Sequence, residues 1–145
     1  MQTNLMHILY ADDNTNDLEM IEEAVTKITH LSITTNSNGK DFIDSLNNLP
    51  VPGLIIFNAD LPSFNGANCI KAIRSMPRFN NVPIIVFKAS IQHTNLVECK
   101  EAGADYIKRK PANFGEILRF VYNISLGKYD NVNHQYNHQM MSKCA

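Results

Sequence analysis

The sequence predicts an α/β fold: one domain whose five parallel strands form a doubly wound sheet, alternating with five helices. Three observations carry that prediction. Leu54-Ile55-Ile56-Phe57 and Ile84-Ile85-Val86-Phe87 are uninterrupted apolar runs, each preceded by a proline at Pro52 or Pro83. Such runs suit strands buried on both faces. Between strand-like segments, apolar residues recur at spacings of three and four, the period of a helix with one buried face. The loops joining these segments are short.

The elements follow in order. His7 to Tyr10 is a short β-type run that stops at Ala11-Asp12-Asp13-Asn14. Leu18, Ile21, Val25 and Ile28, with Glu19, Glu22, Glu23 and Lys27 between them, predict an amphipathic helix over residues 16–29. Asn14, Thr15 or Asn16 can cap it, and Asp17 suits its positive end. Residues 31–35 alternate like a strand, and Asn36-Ser37-Asn38-Gly39 is a turn. Phe42, Ile43, Leu46 and Leu49 stripe a second helix, closed by Pro50 and Pro52. Beyond the third strand and the loop at residues 62–66, Ala67, Ile70, Ile73 and Met76 stripe a third helix that ends at Pro77. A fourth helix over residues 92–101 carries a thin stripe of Leu96, Val97 and Cys99, and ends at Ala102-Gly103. Residues 104–108 form the last strand. Phe114, Ile117, Leu118, Val121 and Ile124 line a final helix over residues 113–125. Past Gly127 the composition turns polar and Asn-rich, so residues 128–145 read as a flexible tail on a domain spanning 1–127.

A chain of 145 residues is long enough to bury a core without staples. Its formal net charge of −1 and the lack of a prominent Lys/Arg run argue against nucleic acid or an anionic membrane as partner. No stretch approaches the roughly 20 apolar residues that span a bilayer. No basic start leads into an apolar run, so no signal peptide is expected. Cys69, Cys99 and Cys144 are widely spaced and form no CxxC pair, which points to a reducing, cytoplasmic setting and away from zinc. His134 and His138 lie four apart, but in an Asn-rich tail that spacing reads as chance rather than as a metal site. His7, His30 and His93 lack acidic or thiol partners at ligand spacing and read as edge or surface residues.

In an open parallel sheet, chemistry sits beyond the carboxyl ends of the strands. Those ends here bring Asp12, Asp13, Asn58 and Lys88 to one crevice, with Lys110 just past the fifth. From these residues the chain resembles a response-regulator receiver domain, of flavodoxin-like (βα)5 architecture, over roughly residues 6–126. The resemblance rests on the acidic pair Asp12-Asp13, the spacing Asn58-x-x-Leu61-Pro62-x-x-x-Gly66, Gly103-Ala104-Asp105, and Lys110-Pro111. No one motif is diagnostic, but their order on alternating strands is specific.

The resemblance implies that Asp13 would ligate Mg²⁺ directly, Asp12 through water, and Asp60 through its backbone carbonyl. The residue matching Asn58 is normally an aspartate phosphorylated by a histidine kinase, and Lys110 would pair with the phosphoryl oxygens. Mg²⁺ wants a near-octahedral shell of hard oxygens, and a carboxylate is a competent nucleophile for phosphoryl transfer. Three positions depart from that pattern. Asn58 has no carboxylate, Lys88 replaces a hydroxyl residue, and Ile107 replaces a switch aromatic. Tyr106 lies one place earlier and points to the other face of its strand.

The usual pocket sets three carboxylates against one lysine and is neutralised by a divalent cation. Here Asp12 and Asp13 face Lys88 and Lys110, already neutral, so Lys88 is expected to occupy or border the Mg²⁺ position and close the pocket. The alternative is a lysine that snorkels into solvent. No cofactor is expected; were Mg²⁺ to bind, Asp12, Asp13 and Asp60 would hold it. Function is expected through protein–protein contact, with a sensor histidine kinase, another signalling protein or a second copy as partner. The resemblance implies a docking face on the fourth helix, fifth strand and fifth helix, including Leu96, Tyr106, Lys108, Phe120 and Tyr122. A second reading keeps Mg²⁺-dependent phosphorylation, on Asp60 or another carboxylate. A small flavodoxin-like enzyme is the remote alternative. It is disfavoured because an acidic first loop repels phosphate and no nucleophile–base arrangement is visible.

Overall fold

A computed structural model describes residues 6–62, 64–88 and 93–129, with the side chains of 93–96 outside the description. The strands are β1 (Met6–Ala11), β2 (Leu31–Asn36), β3 (Leu54–Asn58), β4 (Ile84–Lys88) and β5 (Tyr106–Arg109). They form one parallel sheet in the order β2-β1-β3-β4-β5. The helices are α1 (Thr15–Thr26), α2 (Gly39–Asn48), α3 (Gly66–Arg74), α4 (His93–Ala102) and α5 (Phe114–Ser125), with a 3₁₀ turn at Pro77–Phe79. The doubly wound parallel sheet predicted from the sequence is therefore observed.

Period-two alternation sorts each strand's side chains between two cores. Ile8, Tyr10, Leu54, Ile56, Ile85 and Phe87 pack with α1 and α5. Leu9, Ala11, Ile55, Phe57, Ile84, Val86 and Ile107 pack with α2, α3 and α4. Ile107 and Tyr106 fall in opposite layers, so the tyrosine does not stand in for a residue at 107. Each of four helices opens on an asparagine, Asn14, Asn38, Asn65 or Asn113, whose side chain accepts a backbone N–H three residues on. That satisfies donors a helix leaves orphaned. Gly103, at φ +120°, turns the chain out of α4 where a side chain would be strained.

Several element boundaries move. β5 begins at Tyr106 rather than at 104, because Ala104 and Asp105 are used in the turn from α4: the Ala104 amide donates to the Cys99 carbonyl. Ile43 and Leu49 are exposed rather than part of the α2 core stripe. Phe42 and Leu46 already cover the width that a three-turn helix presents to the sheet. Met76 lies just beyond α3 and packs against the core from there.

Tyr129, assigned by sequence to the tail, packs against the α1/α5 core, its ring 6.0 Å from that of Tyr106. The remainder of the expected tail, including His134, His138 and Cys144, lies outside the described residues. Cys69 and Cys99 are buried free thiols, and burial pushes Cys69 up to about 12. No helix among the described residues is long and apolar enough to cross a membrane.

Candidate functional site

Asp12 follows β1 and is the only fully enclosed carboxylate among the described residues, with 0% of its surface exposed. A buried carboxylate persists only if its lone pairs are used. All of them are. Oδ1 accepts from the Asn14 backbone N–H at 3.0 Å and from Asn58 Nδ2 at 3.2 Å. Oδ2 accepts from the Tyr10 hydroxyl and from Lys110 Nζ, at 2.5 and 2.6 Å. Four donors match the roughly four acceptor positions of an ionised carboxylate.

Each donor has a structural reason to be there. Tyr10 lies two residues before Asp12, on the same side of the chain by strand alternation, and its ring meets Phe87 edge-on at 5.9 Å. Burial and the neighbouring Asp12 both raise its pKa, so the phenol remains a donor. Lys110 follows β5 and also reaches Asp17 Oδ2 on the first turn of α1, at 2.7 Å. Burial works against the Lys110 charge, but hydrogen bonds to Asp12 and Asp17 outweigh it and hold its pKa above the ordinary lysine value.

Asn58, at the end of β3, uses both halves of its amide. Nδ2 donates to Asp12, and Oδ1 accepts the Asp60 backbone N–H at 3.0 Å. Lys88, at the end of β4, is 1% exposed, and its ammonium lies 2.8 Å from Asp60 Oδ1. The expectation that Lys88 faces the Asp12–Asp13 pair is thus corrected. The β3–α3 turn carries Asp60 over the end of β4, while Asp12 is already saturated. Nor does Lys88 snorkel to solvent. The Asp60 side chain is 42% exposed yet ion-paired.

The five predicted site residues are therefore brought together unequally. Asp12, Asn58 and Lys110 share one network, and Lys88 joins it through Asp60. Asp13 is exposed and makes no hydrogen bond or ion pair among the described residues. No group of three or more His, Cys, Asp or Glu side chains among those residues is arranged to hold a metal ion. The sequence reading missed Tyr10 and the site role of Asp17. Strand parity could have found the first, whereas Asp17 was seen only as a favourable charge at a helix start.

Two members of the expected docking face are also corrected. Phe120 is core, its ring 5.2 Å from that of Phe87 on β4, and Lys108 is fully buried. Tyr122 is 55% exposed, Tyr106 is half-buried, and the Leu96 side chain lies outside the description. His7 is half-buried rather than on the surface, its ring nitrogens 2.7 Å from the Ser32 and Thr34 hydroxyls.

Comparison with known proteins agrees with this architecture. The response regulator receiver domain family matches residues 8–122. Two-component response regulator ORR5 of Oryza sativa subsp. japonica is 23% identical over 113 residues, covering 78% of this chain and 84% of its own. Chemotaxis protein CheY1 of Helicobacter pylori is 22% identical over 125 residues, covering 86% of this chain and 100% of its own. Among solved structures, the phosphorylated cyanobacterial phytochrome response regulator RcpA superposes with a TM-score of 0.73 at 23% identity, over 82% of this chain and 90% of that one. The Mn²⁺-bound form of Rcp1 gives 0.73 at 20% identity, over 88% and 96%. With the family matched across most of its length and the same sheet beneath it, the chain belongs to the response regulator receiver domain family.

Proposed function

We propose that this receiver domain acts in two-component signalling by protein–protein contact, without phosphorylation at Asn58. One observation carries the reading: the Asp12 carboxylate is saturated by four protein donors, among them the Asn58 amide and Lys110. A receiver that accepts phosphate needs lone pairs on this acid for Mg²⁺ or its water, and a carboxylate at 58 for the new bond. Here the amide is a structural crosslink between Asp12 and the Asp60 backbone. Lys88 supplies the cation that neutralises the loop carboxylate. With Asp12 saturated and Asp13 turned to solvent, the residues present do not fit Mg²⁺.

Partner binding then sets the output. A histidine kinase, another signalling protein or a second copy is the class of partner that the family suggests, in the cytoplasm. The exposed side of α5, with Tyr122, remains a candidate docking face.

A second reading has one observation in its favour: Asp60 is a partly exposed carboxylate with a lysine at 2.8 Å. Incubation with a small phosphodonor and Mg²⁺, followed by intact mass, separates the two. No gain is expected for the wild type, little for Asn58→Asp, and a clear gain of one phosphoryl group for Asn58→Asp with Lys88→Thr. A wild-type gain abolished by Asp60→Asn would establish the second reading instead.

A further inference from the structure

The two edges of the sheet are protected differently. β5 is four residues long and ends in Lys108-Arg109, with Arg109 exposed. Short length and charge are the usual means by which an edge strand avoids pairing with another chain. β2, the other edge, is six residues long with the sequence Leu-Ser-Ile-Thr-Thr-Asn. It has no charge, no proline and no glycine, and it is rich in β-branched residues.

Its hydrogen-bonding parity is set by the ladder. The Met6 and Asp12 amides donate to the carbonyls of His30 and Asn36, so the even-numbered residues of β2 turn their backbone groups toward β1. Ile33 and Thr35 turn theirs away from the sheet, with no backbone partner among the described residues. Leu31 adds an outward carbonyl, its own N–H being held by Ile28.

We propose that β2 is a self-association edge, on which the β2 strand of a second copy pairs antiparallel across a two-fold axis. A two-fold interface must be complementary to itself, and an uncharged strand meets that condition where β5 would set like charges opposite each other. Each copy donates the N–H of Ile33 and of Thr35, whether the axis passes beside Ile33 or beside Thr34, and the two sheets become one of ten strands. Ile33 and Thr35 side chains lie on the α1 side, where Thr35 donates to Glu22 Oε2 at 3.3 Å. Ser32 and Thr34 lie on the other, held by His7. Both sets of side chains are thus already positioned to flank a new strand. This edge is distinct from the α5 face and does not depend on the phosphorylation state of the pocket.

The test is sedimentation equilibrium of the full chain over a wide concentration range, with amide hydrogen exchange read at Ile33 and Thr35. Dimer formation is expected to rise with concentration, and exchange at both amides to slow in parallel. Thr35→Pro removes an outward donor that the β1–β2 ladder does not use and is expected to weaken association about tenfold or more. Should the proline perturb folding, Thr35→Lys places a charge on the edge beside Glu22 and serves the same end. A monomer at every concentration overturns the proposal, as does a dimer undiminished by either variant. Protection of the two amides independent of concentration would assign the edge to an intramolecular occupant such as residues 130–145, and would equally overturn it.

Discussion

Each end of the sheet has a cation that reaches across several loops, Arg74 acting mostly on backbone carbonyls and Lys110 on carboxylates. At the amino ends of β4 and β5, Arg74 donates to the carbonyls of Gly103, Phe79 and Val82 and to the Asp105 carboxylate. Asp105 in turn accepts the first amide of β4, from Ile84, at 2.8 Å. At the carboxyl ends, Lys110 reaches side chains alone among the described residues, those of Asp12 and Asp17. A cation that closes on carbonyls finishes the backbone of a turn and leaves no chemistry behind. A cation that closes on carboxylates takes up lone pairs that a metal or phosphoryl group would otherwise use. The same physical device is scaffold at one pole and, at the other, the reason the pocket is self-contained.

The largest effect should come from breaking the carboxyl pole. Lys110→Met removes a charged donor from a carboxylate with no access to water and should cost about 3 kcal/mol in urea unfolding. Arg74→Ala should follow at about 2 kcal/mol, since the freed carbonyls lie nearer to solvent. If the Arg74 loss exceeded the Lys110 loss, the contrast between the poles would fail.

The Lys88–Asp60 pair gives a smaller, asymmetric effect. Asp60→Ala leaves a buried ammonium without its carboxylate and should cost about 1–2 kcal/mol. Lys88→Met replaces that ammonium with an apolar chain of similar volume and should stay within about 1 kcal/mol of wild type. Equal losses in the two variants would mean that the lysine finds compensation elsewhere.

The smallest effect is on the amino half of β1. Burial lowers the pKa of His7 from 6.5, so the fold favours its neutral form. Its contribution to stability is full above the unfolded value and is lost as pH falls through the lower folded value. The urea midpoint should therefore drop between pH 7.5 and pH 5.5, and drop less in His7→Gln.

Much of this was legible in the residues. Strands buried on both faces announce themselves as Leu54–Asn58 and Ile84–Lys88 because no water-facing side needs polar residues. Asn58, Lys88 and Lys110 could be placed at one crevice from strand order alone. Helix faces were harder at their margins: Ile43 and Leu49 fit the period of α2 yet face solvent, because periodicity gives direction but not the width of sheet beneath. Lys108 and Phe120 were misplaced for the same reason, one strand and one helix each presenting two candidate faces.

By itself, then, the sequence determined the alternating sheet, the family pattern, and which residue types stand at the strand ends. These follow from local periodicity and from the direction of the chain, which any fragment already carries. Only the tertiary structure decided which cation meets which carboxylate: Lys110 with Asp12 and Asp17, Lys88 with Asp60, and Asp13 left to solvent. Pairing depends on a few ångströms of loop path and on how many lone pairs a buried acid has already given to its neighbours. Neither quantity is written in the order of the residues.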